Sequence, residues 1–364
     1  MSALRRTIAS PYMAWAKTCS YARFNLATSG VESVPMSDFP VHIGDLEITG
    51  PAGYGYDELR KRLAAKTGAP VECVVQASGT SMANFLAMSA CLEPGDEVLI
   101  EHPTYELLLN VARFLGAQVR RFARRREDGF QLDPTEVRRN VMPATRLIVL
   151  TNLHNPTGVL SGDAALRDIG NIALEVGARL LVDEVYLDAA FSLAPRTSFH
   201  LGPQFVVTSS LTKVYGLSGL RCGWVLAEPE LARRIWLLKD LMDASQVHAA
   251  ERMSAIALDH LQQFARRAQE LLEMNRRLLD QFLDAQKNNL EFVRPEFGTI
   301  VFPRLMRGNA DDFCKMLRSE FETTVVPGNF FEMPQHFRLG IGGDSNTLEA
   351  GLKQLGAALD RFCA

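Results

Sequence analysis

Apolar residues along the chain follow two periodicities, and the places where one gives way to the other mark out the elements. Between Val71 and Ala227, short aliphatic runs at 97–100, 118–122, 147–150, 180–182 and 205–208 alternate with stretches in which apolar positions recur every three or four residues. A run such as Leu147-Ile148-Val149-Leu150, without polar alternation, is the pattern of a strand covered on both faces. Strands that alternate with helices predict an α/β chain whose mostly parallel sheet lies between helical layers. From about Pro229 to Lys287 the pattern becomes almost wholly helical, with Leu231, Ile235, Leu238 and Leu241 at helical spacing. Short strands at 299–302 and 324–326 then mix with helical segments at 311–321 and 347–362. The expected division is a large domain at 46–245 and a smaller α+β domain assembled from both chain ends, 1–45 and 246–364. A length of 364 residues, more than one typical core, agrees with two domains.

Polar residues interrupt the apolar pattern where strands end, which is where open α/β sheets hold ligands. Residues 208–223, TSSLTKVYGLSGLRCG, place Lys213 just after an apolar strand, with the hydroxyl of Ser210 before it and Arg221 beyond. A lysine there, among hydroxyls and an arginine able to neutralise a phosphate, fits a Schiff base with the aldehyde of pyridoxal phosphate. A solvated surface lysine fits the same stretch. Asp183 closes the run 178–182 and either pairs with a cation such as a protonated pyridine nitrogen or caps the next helix. Tyr186 either donates a hydrogen bond to a ring oxygen or packs in the core. Asn155, turned away from helical dihedrals by Pro156, is a second such donor or an ordinary turn residue. Gly79, Thr80 and Ser81 lie between an apolar stretch and the helical pattern of Met82, Phe85, Leu86, Met88, Ser89 and Leu92, so they form a plain cap or an anion site at a helix amino terminus. With Ser210 and Arg221 converging there, phosphate is the economical occupant. Arg338, between apolar neighbours in 337–341, needs an anion, which an internal salt bridge would supply.

Asn155-Pro-Thr-Gly158, Asp183-x-x-Tyr186, Ser210-x-x-Lys213 and Arg221 together closely resemble the fold-type I, pyridoxal-phosphate-dependent aminotransferases of class I and II, the aspartate aminotransferase superfamily. Gly53-Tyr54-Gly55, the turn at 77–81, Pro103-Thr104-Tyr105 and Phe337-Arg338-Leu339 extend the resemblance across most of the chain. It implies the PLP-dependent transferase fold type I, pyridoxal 5′-phosphate as cofactor, and transfer of an amino group between an L-amino acid and a 2-oxo acid. By the same resemblance Lys213 holds the cofactor as a Schiff base and then moves the Cα proton. Asp183 maintains the electron sink, Asn155 and Tyr186 tune the ring oxygen, and Tyr105 stacks on the ring. Gly79, Thr80, Ser81, Ser210 and Arg221 take the phosphate, while Arg338, with Asn155 and Gly30, meets the substrate. Tyr54 would reach the phosphate of a neighbouring subunit, which implies a homodimer with shared active sites. Two departures, at 24–31 and at Glu296-Phe-Gly298-Thr-Ile, touch substrate recognition and leave the amino acid unnamed. A lyase or cyclase on the same scaffold stays open, and Ser29-Gly30-Val31 resembles the opening of capreomycidine-type cyclising enzymes. A cofactor-sensing regulator is disfavoured, because no basic helix-turn-helix segment precedes Ser29.

A net charge of −3 and a pI near 6.2 give no reason to expect a nucleic acid or an anionic membrane as partner. Arg120, Arg121, Arg124, Arg125 and Arg126 read as a solvated strand end or as a local contact for an acidic partner. Cysteines at 19, 73, 91, 222, 314 and 363 show neither paired nor metal-like spacing, which points to a reduced, cytoplasmic protein without a metal. The opening, residues 1–8, lacks a signal peptide's apolar stretch, and no run approaches the length of a membrane span. Phe191 and Phe330 are apolar candidates for the substrate side chain and lean toward an uncharged or aromatic one.

Overall fold

The computed structural model describes residues 9–51 and 53–364, so the reading of residues 1–8 lies outside the described residues. Helix α1 (Pro11–Thr18) starts at Ser10, whose hydroxyl accepts from Met13 N at 3.1 Å, with proline at the first helical position, where a missing N–H is harmless. Strand β1 (Phe24–Asn25) follows. From α2 (Asp57–Thr67) onward, strands and helices largely alternate: β2 (Val74–Ser78), α3 (Thr80–Cys91), β3 (Glu97–His102), α4 (Glu106–Phe114), β4 (Gln118–Ala123), α5 (Pro134–Asn140), β5 (Thr145–Thr151), α6 (Asp163–Glu175), β6 (Arg179–Asp183), β7 (Phe205–Ser210) and β8 (Cys222–Leu226).

Strands β2 to β8 form one sheet in the order β2-β8-β7-β6-β5-β3-β4. From β7 across to β4 all neighbours are parallel; β8 alone runs antiparallel to both of its neighbours. The sheet is therefore mostly parallel, as the sequence pattern predicts. Alternate residues serve opposite layers: Leu147 and Val149 pack with α3 and α4, Ile148 and Leu150 with α2 and α6. Double coverage explains why these strands are apolar throughout. Strand β8 is absent from the expected runs because Gly223 interrupts it. That glycine is needed, since a Cβ there would come within 2.6 Å of the Gly79 backbone on β2's exit.

The helical region resolves into α7 (Pro229–Lys239), α8 (His248–Asp259) and α9 (Leu261–Ala285), interrupted at 240–247. After them come β9 (Leu290–Glu291), β10 (Ile300–Val301), β11 (Arg304–Leu305), α10 (Ala310–Phe321), β12 (Thr323–Thr324), β13 (Val326–Pro327), β14 (Phe337–Gly340) and α11 (Ser345–Cys363). The single strand expected at 324–326 is split at Val325, because β12 pairs with β1 whereas β13 pairs with β14. Leu279 and Leu283 of α9, Phe313 and Leu317 of α10, Leu355 and Leu359 of α11, and Leu339 of β14 share a core of their own with Leu26. Phe39, Ala255 and Phe264 pack instead with the sheet layer. No helix among the described residues is long and apolar enough to cross a membrane.

The arginine cluster needs a correction. Arg125 does face solvent, but Arg124 is 2% exposed and bonds to the buried carboxylate of Glu101 at 3.1 Å. Sequence alone hides this, because the partner that makes burial tolerable sits on the neighbouring strand.

Candidate active site

Parallel register sets the floor of the site. Thr151 at the end of β5 pairs with Asp183 at the end of β6, which pairs with Thr208 on β7, so three polar residues line up at one carboxyl edge. The turns beyond these strands carry Asn155, Tyr186 and Lys213. A cavity of about 300 Å³ opens above them, and Thr80, Ser81, Tyr105, Asn155, Asp183, Tyr186, Ser210, Lys213, Arg221 and Arg338 all line it. Gly79 and Gly30 are not among the lining residues; each adjoins one that is, Thr80 and Ser29 respectively. Tyr54 stands apart, half-exposed, with its ring 5.9 Å from Trp236.

At one end the geometry is that of an anion cup. Helix α3 begins at Gly79 with no capping side chain and no acidic residue in its first turn, which leaves amide groups free at a positive helix end. Gly79 has φ of +83°, and a Cβ there would lie 2.4 Å from Arg221 Nη2. Glycine is thus required both for the turn and for the approach of the guanidinium. Thr80 donates to Ser210 Oγ at 2.8 Å, and Arg221 Nη2 donates to the Ser78 carbonyl at 3.1 Å. Hydroxyls, amides and one cation converge here.

Arg338 occupies the other end, 1% exposed. Its guanidinium donates to Asn155 Oδ1 at 3.1 Å, Tyr12 Oη at 2.9 Å and the Ala27 carbonyl at 3.5 Å, all neutral acceptors. Nε has no hydrogen-bond partner among the described residues. No carboxylate forms a salt bridge with it among the described residues, so the internal ion pair that its sequence context allowed is not made.

Between the two ends lie Lys213 and Asp183. Burial lowers the Lys213 amine below its ordinary value, against the nearby Tyr12, and Nζ donates to Ser29 Oγ at 3.1 Å. Burial pushes the Asp183 carboxyl up to about 6, although Asn84 Nδ2 at 2.8 Å and Val185 N at 3.0 Å donate to it. Asn84 is itself fixed, its Oδ1 accepting from Thr208 at 2.5 Å.

Three cations, Lys213, Arg221 and Arg338, thus share the cavity with one carboxylate. The profile of the family described as aminotransferase class I and II matches residues 44–355. The chain belongs to the class I and II aminotransferases. Among its relatives, capreomycidine synthase of Streptomyces vinaceus is 27% identical, the match covering 96% of this chain and 94% of that protein. Aspartate/prephenate aminotransferase of Thermus thermophilus is also 27% identical, over 90% and 89% respectively. A PLP-dependent aminotransferase from Streptococcus suis, known as a crystal structure, superposes with a TM-score of 0.88 at 28% identity and covers 94% of both chains.

As in this family, the cofactor is pyridoxal 5′-phosphate, and the chain has residues that fit it. The cup at Gly79 suits a phosphate; the uncompensated carboxyl of Asp183 suits a pyridinium nitrogen. Two buried polar atoms of the cavity, Arg338 Nε and Thr212 Oγ1, lack a partner among the described residues, as expected of groups that bond to a ligand.

Sequence reasoning missed several neighbours of this site. Tyr12, Met13 and Trp15 of α1, together with Ser29 and Asn84, line it or buttress it. Asn84 alone left a signal: it follows Thr80 by one helical turn in an otherwise apolar pattern, on the same face. Phe191 and Phe330 do not line the cavity. Phe330 stands behind it, 5.6 Å from the rings of both Tyr12 and Trp15.

Proposed function

We propose that this protein moves an amino group between an L-amino acid and a 2-oxo acid. The observation that carries the reading is Arg338: a fully buried guanidinium with only neutral partners, in one cavity with a lysine amine. Such a group selects a planar carboxylate by paired hydrogen bonds, and binds it near the amine that must handle the neighbouring carbon.

Bound in the cavity, pyridoxal phosphate supplies an aldehyde for the amino group and a ring that accepts the electron pair left at Cα. The chain does the rest. Gly79, Thr80, Ser81, Ser210 and Arg221 would hold the phosphate, and Tyr105 would cover the ring face. Asp183 would keep the ring nitrogen protonated. Tyr186 and Asn155 would donate to the ring oxygen; since the Asn155 amide oxygen already accepts from Arg338, its nitrogen is the end left to donate. Arg338 and the Gly30 backbone would hold the substrate carboxylate. The Lys213 amine would hold the cofactor and, when free, serve as the base that removes the Cα proton and returns it elsewhere.

A second reading, a lyase or cyclase with the same proton removal, is favoured by the nearly full-length match to capreomycidine synthase, a protein named for what it makes and not for amino-group transfer. Single-turnover mixing with individual amino acids separates the two. Transfer should release one oxo acid per site and then stop until an oxo acid is added, with the amino group kept on the protein. Continuous release of ammonia or another side-chain substituent without any acceptor would sink the transfer reading.

We also propose that two copies share their sites, on two observations. Ile43 and Ile48 are 91% and 96% exposed and Leu241 and Val247 are 82% and 73% exposed, an apolar surface that a monomer would leave in water. Tyr54 lies in the same stretch of chain and outside its own cavity. Ile48→Lys should shift the sedimentation coefficient toward that of a monomer and lower turnover with it; an active wild-type monomer would contradict the proposal. The division into a cofactor domain at 46–245 and a smaller domain belongs to the same reading; the separate core of α9, α10, α11 and β14 supports a second unit, while Phe39, Ala255 and Phe264 side with the sheet core and argue against those bounds at both ends.

A further inference from the structure

Ser29 lies on the segment that enters the cavity from the amino-terminal side, and it is 5% exposed. The segment is pinned from three directions. Val31 N donates to the Lys213 carbonyl at 2.7 Å, Thr299 Oγ1 donates to the Ser29 carbonyl at 2.7 Å, and Gly342 packs so closely that a Cβ on it would lie 2.3 Å from the Gly30 carbonyl oxygen. Gly30 in turn lies against Lys213, where a Cβ would be 3.6 Å from the lysine Cδ. The result is a rigid rail along the lysine stem, with one hydroxyl at the level of the amine. Lys213 Nζ donates to Ser29 Oγ at 3.1 Å.

An amine on four methylenes has many rotamers, and only a few turn its lone pair toward a given carbon. One N–H held by a fixed acceptor removes most of them. We propose that Ser29 is a positioning residue for proton transfer: it takes one N–H of the released Lys213 amine and thereby aims the lone pair at the substrate Cα. This rests on the reading of Lys213 as the base. Ser29 forms no bond to substrate and carries no proton to solvent; its hydroxyl accepts from the amine. The other titratable groups that bear on Lys213 are Tyr12, Arg338, Arg221 and Asp183, and none of them has a hydrogen bond to its amine among the described residues.

The test follows exchange of the substrate Cα hydrogen in deuterium oxide, alongside cofactor affinity, KM and kcat. Ser29→Ala should slow exchange and kcat about tenfold to a hundredfold, the range for one hydrogen bond to a chargeable group, with KM and cofactor affinity unchanged. Ser29→Thr, which keeps the hydroxyl, should recover most of the loss. In cofactor-free protein at fixed pH, an amine reagent should label Lys213 faster in Ser29→Ala, because the acceptor that favours the ammonium form is gone. Unaltered exchange together with unaltered labelling would overturn the proposal, as would a rise in KM alone. If Lys213→Ala still exchanges the Cα hydrogen at the normal rate, it is the reading of Lys213 that fails, and the positioning role falls with it.

Discussion

Lys213→Ala is expected to lose about 10⁴-fold in turnover, the upper part of the range for a positioned acid or base, while still binding the cofactor. The cup at Gly79, Thr80, Ser210 and Arg221 does not depend on the lysine, so affinity should survive where chemistry does not. Borohydride should fix the cofactor to the wild-type peptide that contains Lys213 and to no peptide of the variant. Recovery of the label on a different lysine, or substantial turnover in Lys213→Ala, would remove the central assignment.

Asp183→Asn is expected to cut turnover roughly a hundredfold to several thousandfold, since breaking a buried ion pair costs about 3–5 kcal/mol. Its fold should persist. The same residue gives a pH dependence whose sign can be worked out. In the cofactor-free protein its carboxyl is pushed up to about 6 from an ordinary 3.8, so the native state binds the proton more tightly than the unfolded chain. The stability this contributes is complete below about pH 4 and is lost as pH rises through about 6, by roughly 3 kcal/mol in total. Glu101 and Glu184, each raised to about 7 by burial, add to the slope at somewhat higher pH. Urea titrations of cofactor-free protein should therefore show stability falling between about pH 4 and 6, and the fall should be shallower in Asp183→Asn. Near-normal turnover in the variant would make Asp183 a structural cap; an unchanged slope would mean that its carboxyl is not the one titrating.

Lys213, Asp183, Asn155 and the turn at Gly79 were legible because each sits at a strand end in a short motif whose local chemistry is unusual for a turn. The strands of the sheet were legible for a related reason, since coverage on both faces leaves continuous apolar runs. What stayed hidden depends on distant parts of the chain meeting. Ser29 touches Lys213 across 184 positions, and Asn84 reaches Asp183 across 99. Nothing local to either residue records the encounter. Arg124 looked like surface charge because its burial is made tolerable by Glu101, 23 positions away. Tyr12 meets Arg338 across 326 positions, again with no local trace.

Ser78 on β2 is paired with Cys222 on β8, so the two halves of the phosphate cup, 143 positions apart, are joined by a single register. β2 is the first strand of the sheet to leave the ribosome and β8 the last, and β2 has no other partner in the sheet. Assembly therefore has an order. A nascent chain holding only its first six sheet strands has the lysine-bearing turn within reach but lacks the arginine side of the cup, and closing a loop of that length comes late in folding. A β2–β8 pairing one residue out of register would turn the residues beside Arg221 to the opposite face, so the register that completes the sheet also completes the phosphate cup.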